Sequence, residues 1–168
     1  MTITLYAQPY DISAEGFYFT DAEDYARKAA AARNAFGLPV EEFEIQFIDG
    51  GIMDCELARA ISLSQANVAL YLDRIDDWDV YEKQAVIIAV GECGYDFDEN
   101  TAPDDFEIDI YHVDSMRDLA IEFVNEGLFG DIPEHLQNYI DHDAIARDLA
   151  MDYVEAVIGG ERLIYRCG

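Results

Sequence analysis

Basic residues are what this chain has least of: lysine occurs only at Lys28 and Lys83, and 10 Lys+Arg stand against 36 Asp+Glu, a formal charge of −26 on 168 residues. A body this anionic repels phosphate backbones and anionic headgroups, which sets aside direct binding to nucleic acid or to a membrane surface. Cysteine is equally sparse. Cys55, Cys93 and Cys167 are odd in number, widely spaced and free of any C-x-x-C pair. Such spacing indicates neither a disulfide framework nor a zinc site, so all three are expected to be reduced structural thiols. No apolar run approaches the ~20 residues of a membrane helix, and the start, Met1-Thr-Ile-Thr-Leu-Tyr6, lacks a basic n-region and a long apolar core. The expected location is the cytoplasm.

What is present argues for a folded chain, since 51% hydrophobic and 12% aromatic residues exceed what a disordered acidic segment carries. Ile3 and Leu5, then Phe17 and Phe19, alternate with polar residues before Asp21, an N-cap for an Ala-rich helix expected from about Ala22 to Phe36. Phe43, Ile45 and Phe47 alternate with Glu42, Glu44 and Gln46 as a strand with one wet face, closed by Asp49-Gly50-Gly51. Helical patterns follow around Ala66 to Leu72 and Tyr81 to Val90, with the charged run Asp73 to Asp79 between them. Gly91 to Asp105 reads as a long loop. Beyond it the pattern predicts a strand through Phe106, Ile108 and Ile110, a helix from Ser115 to Asn125 and a turn at Gly127 to Gly130. Short helices then follow Pro133 and His142, and a hairpin turns at Gly159-Gly160. The class is α+β, in three small units: an α+β unit at 1–60, a mainly helical one at 61–106 and a second α+β unit at 107–168.

The negative charge runs through all three, with 11 acidic against 4 basic residues in 1–60, 11 against 2 in 61–106 and 14 against 4 in 107–168. No segment is a detachable acidic tail. The densest local arrays are Asp73, Asp76, Asp77 and Asp79, the pair Glu107 and Asp109, and Asp114, Asp118, Glu122 and Glu126. The last four recur every fourth residue, which on a helix makes one stripe with about 6 Å between carboxylates. Like charges at that spacing destabilise a helix by roughly 0.2–0.5 kcal/mol per pair, so stability alone does not select them. Glu107 and Asp109, two apart on a strand, are about 6.6 to 6.8 Å apart. Both spacings approach that of successive phosphates on one strand of a duplex. At one charge per about 1.7 Å of axis, 26 charges correspond to about 44 Å of DNA. A solvated acidic face accounts for any single run, and adaptation to high salt or an acidic module for some other basic or histone-like partner accounts for composition. The large aromatic content weighs against the salt reading.

Chemical motifs are poor. Asp96-x-Asp98-x-Asn100 with Asp104 and Glu107 matches several calcium-loop positions, but Thr101 stands where the loop needs Gly and Pro103 follows. His112, His135 and His142 lack ligand spacing. With no phosphate-binding or nucleophile fingerprint, neither catalysis, a metal nor a cofactor is expected.

Residues 127–149, GLFGDIPEHLQNYIDHDAIARDL, carry the most specific signal. Leu136, Gln137, Tyr139, Ile140, Asp141, Arg147, Asp148 and Leu149, preceded by Gly130-x-Ile-Pro133, closely resemble the antirestriction motif of the ArdA family. The likeness is strong over the last third and looser through the middle. At the start the chain has Tyr10-Asp-Ile-Ser-Ala-Glu-Gly16 where the commonest family pattern has a Tyr-Asn-x-Gly turn. The resemblance implies three small α/β domains strung into a curved, elongated body that mimics B-form DNA, dimerises through its C-terminal domain and occupies the DNA-binding groove of type I restriction–modification enzymes. Leu136, Tyr139 and Ile140 are expected to serve structure and dimerisation.

Overall fold

The alternation at the start forms β1 (Thr4–Pro9), which lies between β2 (Phe17–Phe19) and β3 (Phe43–Asp49) in an antiparallel sheet of order β2-β1-β3. Leu5 is in register with Phe19 on one side and Phe47 on the other, and Leu5, Ala7, Phe19, Phe43 and Ile45 form the buried face. Gly16 permits the return into β2, because a Cβ there would run into the Tyr6 hydroxyl and the Ala7 carbonyl. The computed structural model describes residues 2–168, and its contacts divide the chain into two units, Met1–Phe106 and Glu107–Gly168.

Helix α1 (Ala22–Ala31) starts where expected, with Asp21 accepting the Asp24 N–H at 2.7 Å. It stops well short of Phe36, which corrects the expected length. Asn34 captures the chain instead: its side-chain oxygen accepts from Phe36 and Leu38 N–H at 2.9 and 3.0 Å, and Arg33 bridges to Pro39. Such side chain–backbone bonds compete with the helical ladder and override the Ala-rich propensity.

Three α-helices, α2 (Ile52–Ala60), α3 (Val68–Asp77) and α4 (Val80–Gly91), and a 3-10 turn at Pro103–Asp105 complete this unit. Helix α2, which packs on α4, begins at Gly51 without a side-chain cap and therefore leaves little local signal. The acidic run 73–79 is no separator. Asp73 to Asp77 form the second half of α3, whose other face buries Val68, Tyr71 and Leu72, and Asp79 caps α4. Helix α4 buries Val86, Ile87, Ile88 and Ala89 as the centre of the unit. Burial raises the Tyr71 hydroxyl's pKa, and that hydroxyl donates to the Asp54 carbonyl at 2.7 Å.

In the second unit β4 (Ile108–Tyr111) and β5 (Val154–Ile158) flank β6 (Glu161–Cys167), all antiparallel. The strand begins at Ile108 rather than Phe106, whose ring packs edge-on against Tyr95 in the first unit. Gly159 and Gly160, both at positive φ, make the two-residue hairpin between β5 and β6. Helix α5 (Met116–Asn125) is capped by Ser115, a short 3-10 helix spans Glu134–Tyr139, and α6 (His142–Leu149) is capped by Asp141. Met116, Leu119, Phe123, Tyr153 and Ile164 form the core, with Tyr111, Val113, Ala146 and Leu149 packed around them.

Cys55 is a free thiol, whereas Cys93 and Cys167 are disulfide-bonded, which corrects the expectation of three reduced cysteines. Their spacing in sequence gives no hint of it. Among the described residues no helix is long and apolar enough to cross a membrane.

Candidate functional site

A stable helix concentrates carboxylates at its N-terminal end and cations at its C-terminal end, where each complements the macrodipole. Helix α1 obeys this, with Glu23 and Asp24 in its first turn and Lys28 in its last. Asp24 binds both Lys28 and Arg27, and its carboxyl is held below the ordinary value chiefly by the Lys28 hydrogen bond. Helix α3 is built the other way. Its first turn has no acid, while Asp73, Asp76 and Asp77 crowd its C-terminal half and face solvent, with Arg74 alone as counter-charge. Asp73 pairs with Arg74 at 2.6 Å. Asp73 and Asp76 also line a cleft of about 760 Å³ with Asp21, Asp54 and Lys83, the last two joined at 2.8 Å and largely shielded from water.

Helix α5 repeats the inversion. Asp118 lies in its first turn, but the last turn has no cation, and Glu122 and the C-cap residue Glu126 sit at its negative end. Asp114 precedes the helix, so the four-residue stripe is helical only from Asp118 onward. Asp114, Asp118 and Glu126 are exposed and Glu122 is half-buried.

Two expected surface carboxylates have structural duties. Asp79 accepts the Glu82 N–H at 2.8 Å while Glu82 accepts the Asp79 N–H at 2.8 Å, a reciprocal capping box. Asp109 faces Arg166 across the β4–β6 ladder and binds it at 2.7 Å, with the guanidinium 5.0 Å from the Tyr153 ring centroid. Glu107 lies just outside β4, exposed, and its carbonyl accepts the Gly168 N–H at 2.7 Å. Glu155, which sequence reasoning missed, accepts the Met116 N–H at 2.7 Å and thus helps to fix the start of α5. Its only sequence signal was a carboxylate on a strand, one among many.

The residues of the 136–149 motif separate into three kinds: structural, outward-facing and cleft-lining. Asp141 accepts the Ala144 N–H at 3.0 Å, and Leu149 packs against the core. Leu136 and Tyr139, three apart, share one face of the 3-10 helix, where side chains eclipse. Both point outward, Tyr139 being 83% exposed, alongside exposed Leu128 and Phe129 on the preceding turn. Gln137 and Ile140 line a cleft of about 490 Å³ with Arg117 and His142. Arg147 and Asp148 are exposed on the last turn of α6.

Among the described residues no group of three or more His, Cys, Asp and Glu is placed to hold a metal ion. Asp98 in the calcium-like loop instead accepts the Asn100 N–H at 2.8 Å. A family model described as antirestriction protein (ArdA) matches residues 20–161, which spans both units. No curated protein matches the chain significantly.

Proposed function

Since the chain belongs to the ArdA family of antirestriction proteins, we propose that it inhibits type I restriction–modification enzymes by standing in for DNA in the groove of their methyltransferase core. The observation that carries this reading is the placement of carboxylates at the negative ends of α3 and α5, Asp76 and Asp77 on one and Glu122 and Glu126 on the other. Position and sign there oppose the helix dipole, so they reduce stability and are explained by what they present outward. An array of carboxylates offers a basic groove the charge that phosphates would, and backbone charge is common to every DNA sequence, so inhibition is broad.

In this reading the body is elongated, with 107–168 as one domain and 1–106 made of a sheet part, 1–60, and a helical part, 61–106. The exposed face of Leu136 and Tyr139, with Leu128 and Phe129 beside it in sequence, supports a homodimer contact, since large apolar side chains gathered on a surface mark an interface. The protein acts in the cytoplasm, without catalysis or cofactor.

The test is an inhibition assay on a purified type I enzyme, with DNA cleavage and DNA methylation scored separately. Dose-dependent loss of DNA binding is expected to accompany loss of cleavage. Cleavage lost while the enzyme keeps its DNA affinity would remove the mimic reading.

A further inference from the structure

The first unit carries a second surface that charge does not explain. Its two ends of loop, Tyr10 to Gly16 and Ala32 to Glu42, are joined by a hydrogen-bond lattice: Asn34 Nδ2 donates to Asp11 at 3.0 Å, the Ala35 N–H to Ser13 Oγ at 3.2 Å and the Tyr10 N–H to the Glu42 carbonyl at 3.2 Å. Asp11 also accepts from both the N–H and the hydroxyl of Ser13, at 2.9 and 2.7 Å, and the Ser13 hydroxyl hydrogen bond is the main reason its carboxyl sits below the ordinary value. These loops are therefore fixed in shape. Yet what they hold out to solvent is apolar: Ile12 is 99% exposed and Phe36 82%, with Tyr10 and Leu38 exposed beside them. Apolar side chains scattered singly on a surface need no explanation, but four on two loops locked to each other form a patch, and such a patch is the ordinary mark of a protein contact.

The surroundings choose the occupant. Asp11, Glu15, Glu41 and Glu42 lie on the same two loops, four carboxylates against one cation, Arg33, whose guanidinium is exposed and donates to the Ala30 and Ala32 carbonyls at 2.9 and 2.8 Å. A second copy seated here patch on patch would set Asp11, Glu15, Glu41 and Glu42 against the same four carboxylates, whereas a partner whose apolar residues are bordered by cations fits. We infer that Ile12 and Phe36, with Tyr10 and Leu38, form an apolar anchor that docks onto the basic DNA-binding protein that the acidic surface attracts. This rests on the proposed function and deepens it: the carboxylates supply long-range, salt-sensitive attraction, and the anchor supplies a short-range contact that DNA itself lacks. An inhibitor so built binds a DNA-binding face more tightly than charge matching alone provides.

The two contributions separate by salt. Binding to a purified type I methyltransferase is measured over a range of ionic strength for the wild type, for the double variant Ile12→Ser with Phe36→Ser, and for Asp76→Asn with Asp77→Asn. Because Ile12 and Phe36 are almost wholly exposed, the fold is expected to persist, which the melting temperature checks. The anchor variant should bind about tenfold more weakly at every salt concentration with the slope against salt unchanged, whereas the carboxylate variant should flatten the slope. Wild-type affinity in the anchor variant, with wild type binding normally, would overturn the anchor alone. Loss of self-association in the anchor variant would also overturn it, by making a second copy the occupant. Absence of wild-type binding at any salt would overturn the proposed function and the anchor together.

Discussion

The two units meet the same problem, a small sheet that must be covered on one face, with different resources. Met1–Phe106 lays three helices, α2, α3 and α4, into a core that includes Leu57, Val68, Tyr71, Val86 and Ile88. Glu107–Gly168 has five buried residues clustered about Phe123 and yet leaves Leu128, Phe129, Leu136 and Tyr139 in solvent. A unit of that length is close to the size at which a single core gives marginal stability. Large apolar groups withheld from so small a core indicate that the surface, and not only the fold, determines where they stand.

The largest effect that sharpens this contrast is expected in the smaller core. Phe123→Ala should cost about 3–5 kcal/mol, enough to abolish amide-exchange protection across 107–168 while the strands of the first unit keep theirs. Equal loss of protection in both units would show that they do not fold as separate cores. Within the motif, Leu149→Ala should cost about 2 kcal/mol because the side chain packs against Phe123 and its neighbours. Tyr139→Ala should leave the melting temperature unchanged and weaken self-association, read by sedimentation. A Tyr139→Ala protein that keeps its self-association but loses enzyme binding would make the motif a contact site for the enzyme instead.

The contrast between α1 and α3 gives a smaller, signed effect. Neutralising Glu122 and Glu126, or Asp76 and Asp77, relieves charge at a helix C-terminus and should raise stability by about 0.5–1 kcal/mol per pair. Neutralising Glu23 and Asp24 removes acids from the favourable end of α1 and breaks the Asp24 ion pairs, so the melting temperature should fall. A fall in all three would mean that the α3 and α5 carboxylates serve the fold.

How much of this was legible follows the local signals. Strands β1 and β3, the Asp21 cap, the helix that begins at Ser115 and the Gly159-Gly160 hairpin all follow from alternation, capping chemistry and turn chemistry within a few residues. Helix α2 escaped because it has no cap signal, and the second half of α3 escaped because charge masked a period that Val68, Tyr71 and Leu72 begin. The stripe of acids was readable, but not that Asp109 answers Arg166 or that Asp79 is a cap, since both duties depend on partners that the fold brings near. Nor could exposure be read from spacing: Leu136 and Tyr139 look like packing residues in sequence and stand in solvent in the fold.

The smallest expected effect concerns pH and compares the locked loops with the open acidic faces. Because the folded-state pKa of Asp11 lies below its ordinary value of 3.8, its contribution to stability is present above about pH 4 and is lost as the pH falls through that lower folded value. Asp11→Asn should therefore lower the melting temperature at neutral pH, and the two curves should converge in acid. Curves that stay parallel to pH 2 would show that the Asp11 charge does not lock the loop.

The central claim, that a folded array of carboxylates takes the place of DNA, is tested most directly by competition. A fluorescent duplex bound to a type I methyltransferase is titrated with this protein at rising salt. Displacement should be complete, one body of inhibitor per DNA-binding groove, and the concentration needed should rise with ionic strength as released counter-ions are restored. A ternary complex in which the duplex stays bound, or displacement indifferent to salt, would contradict the account.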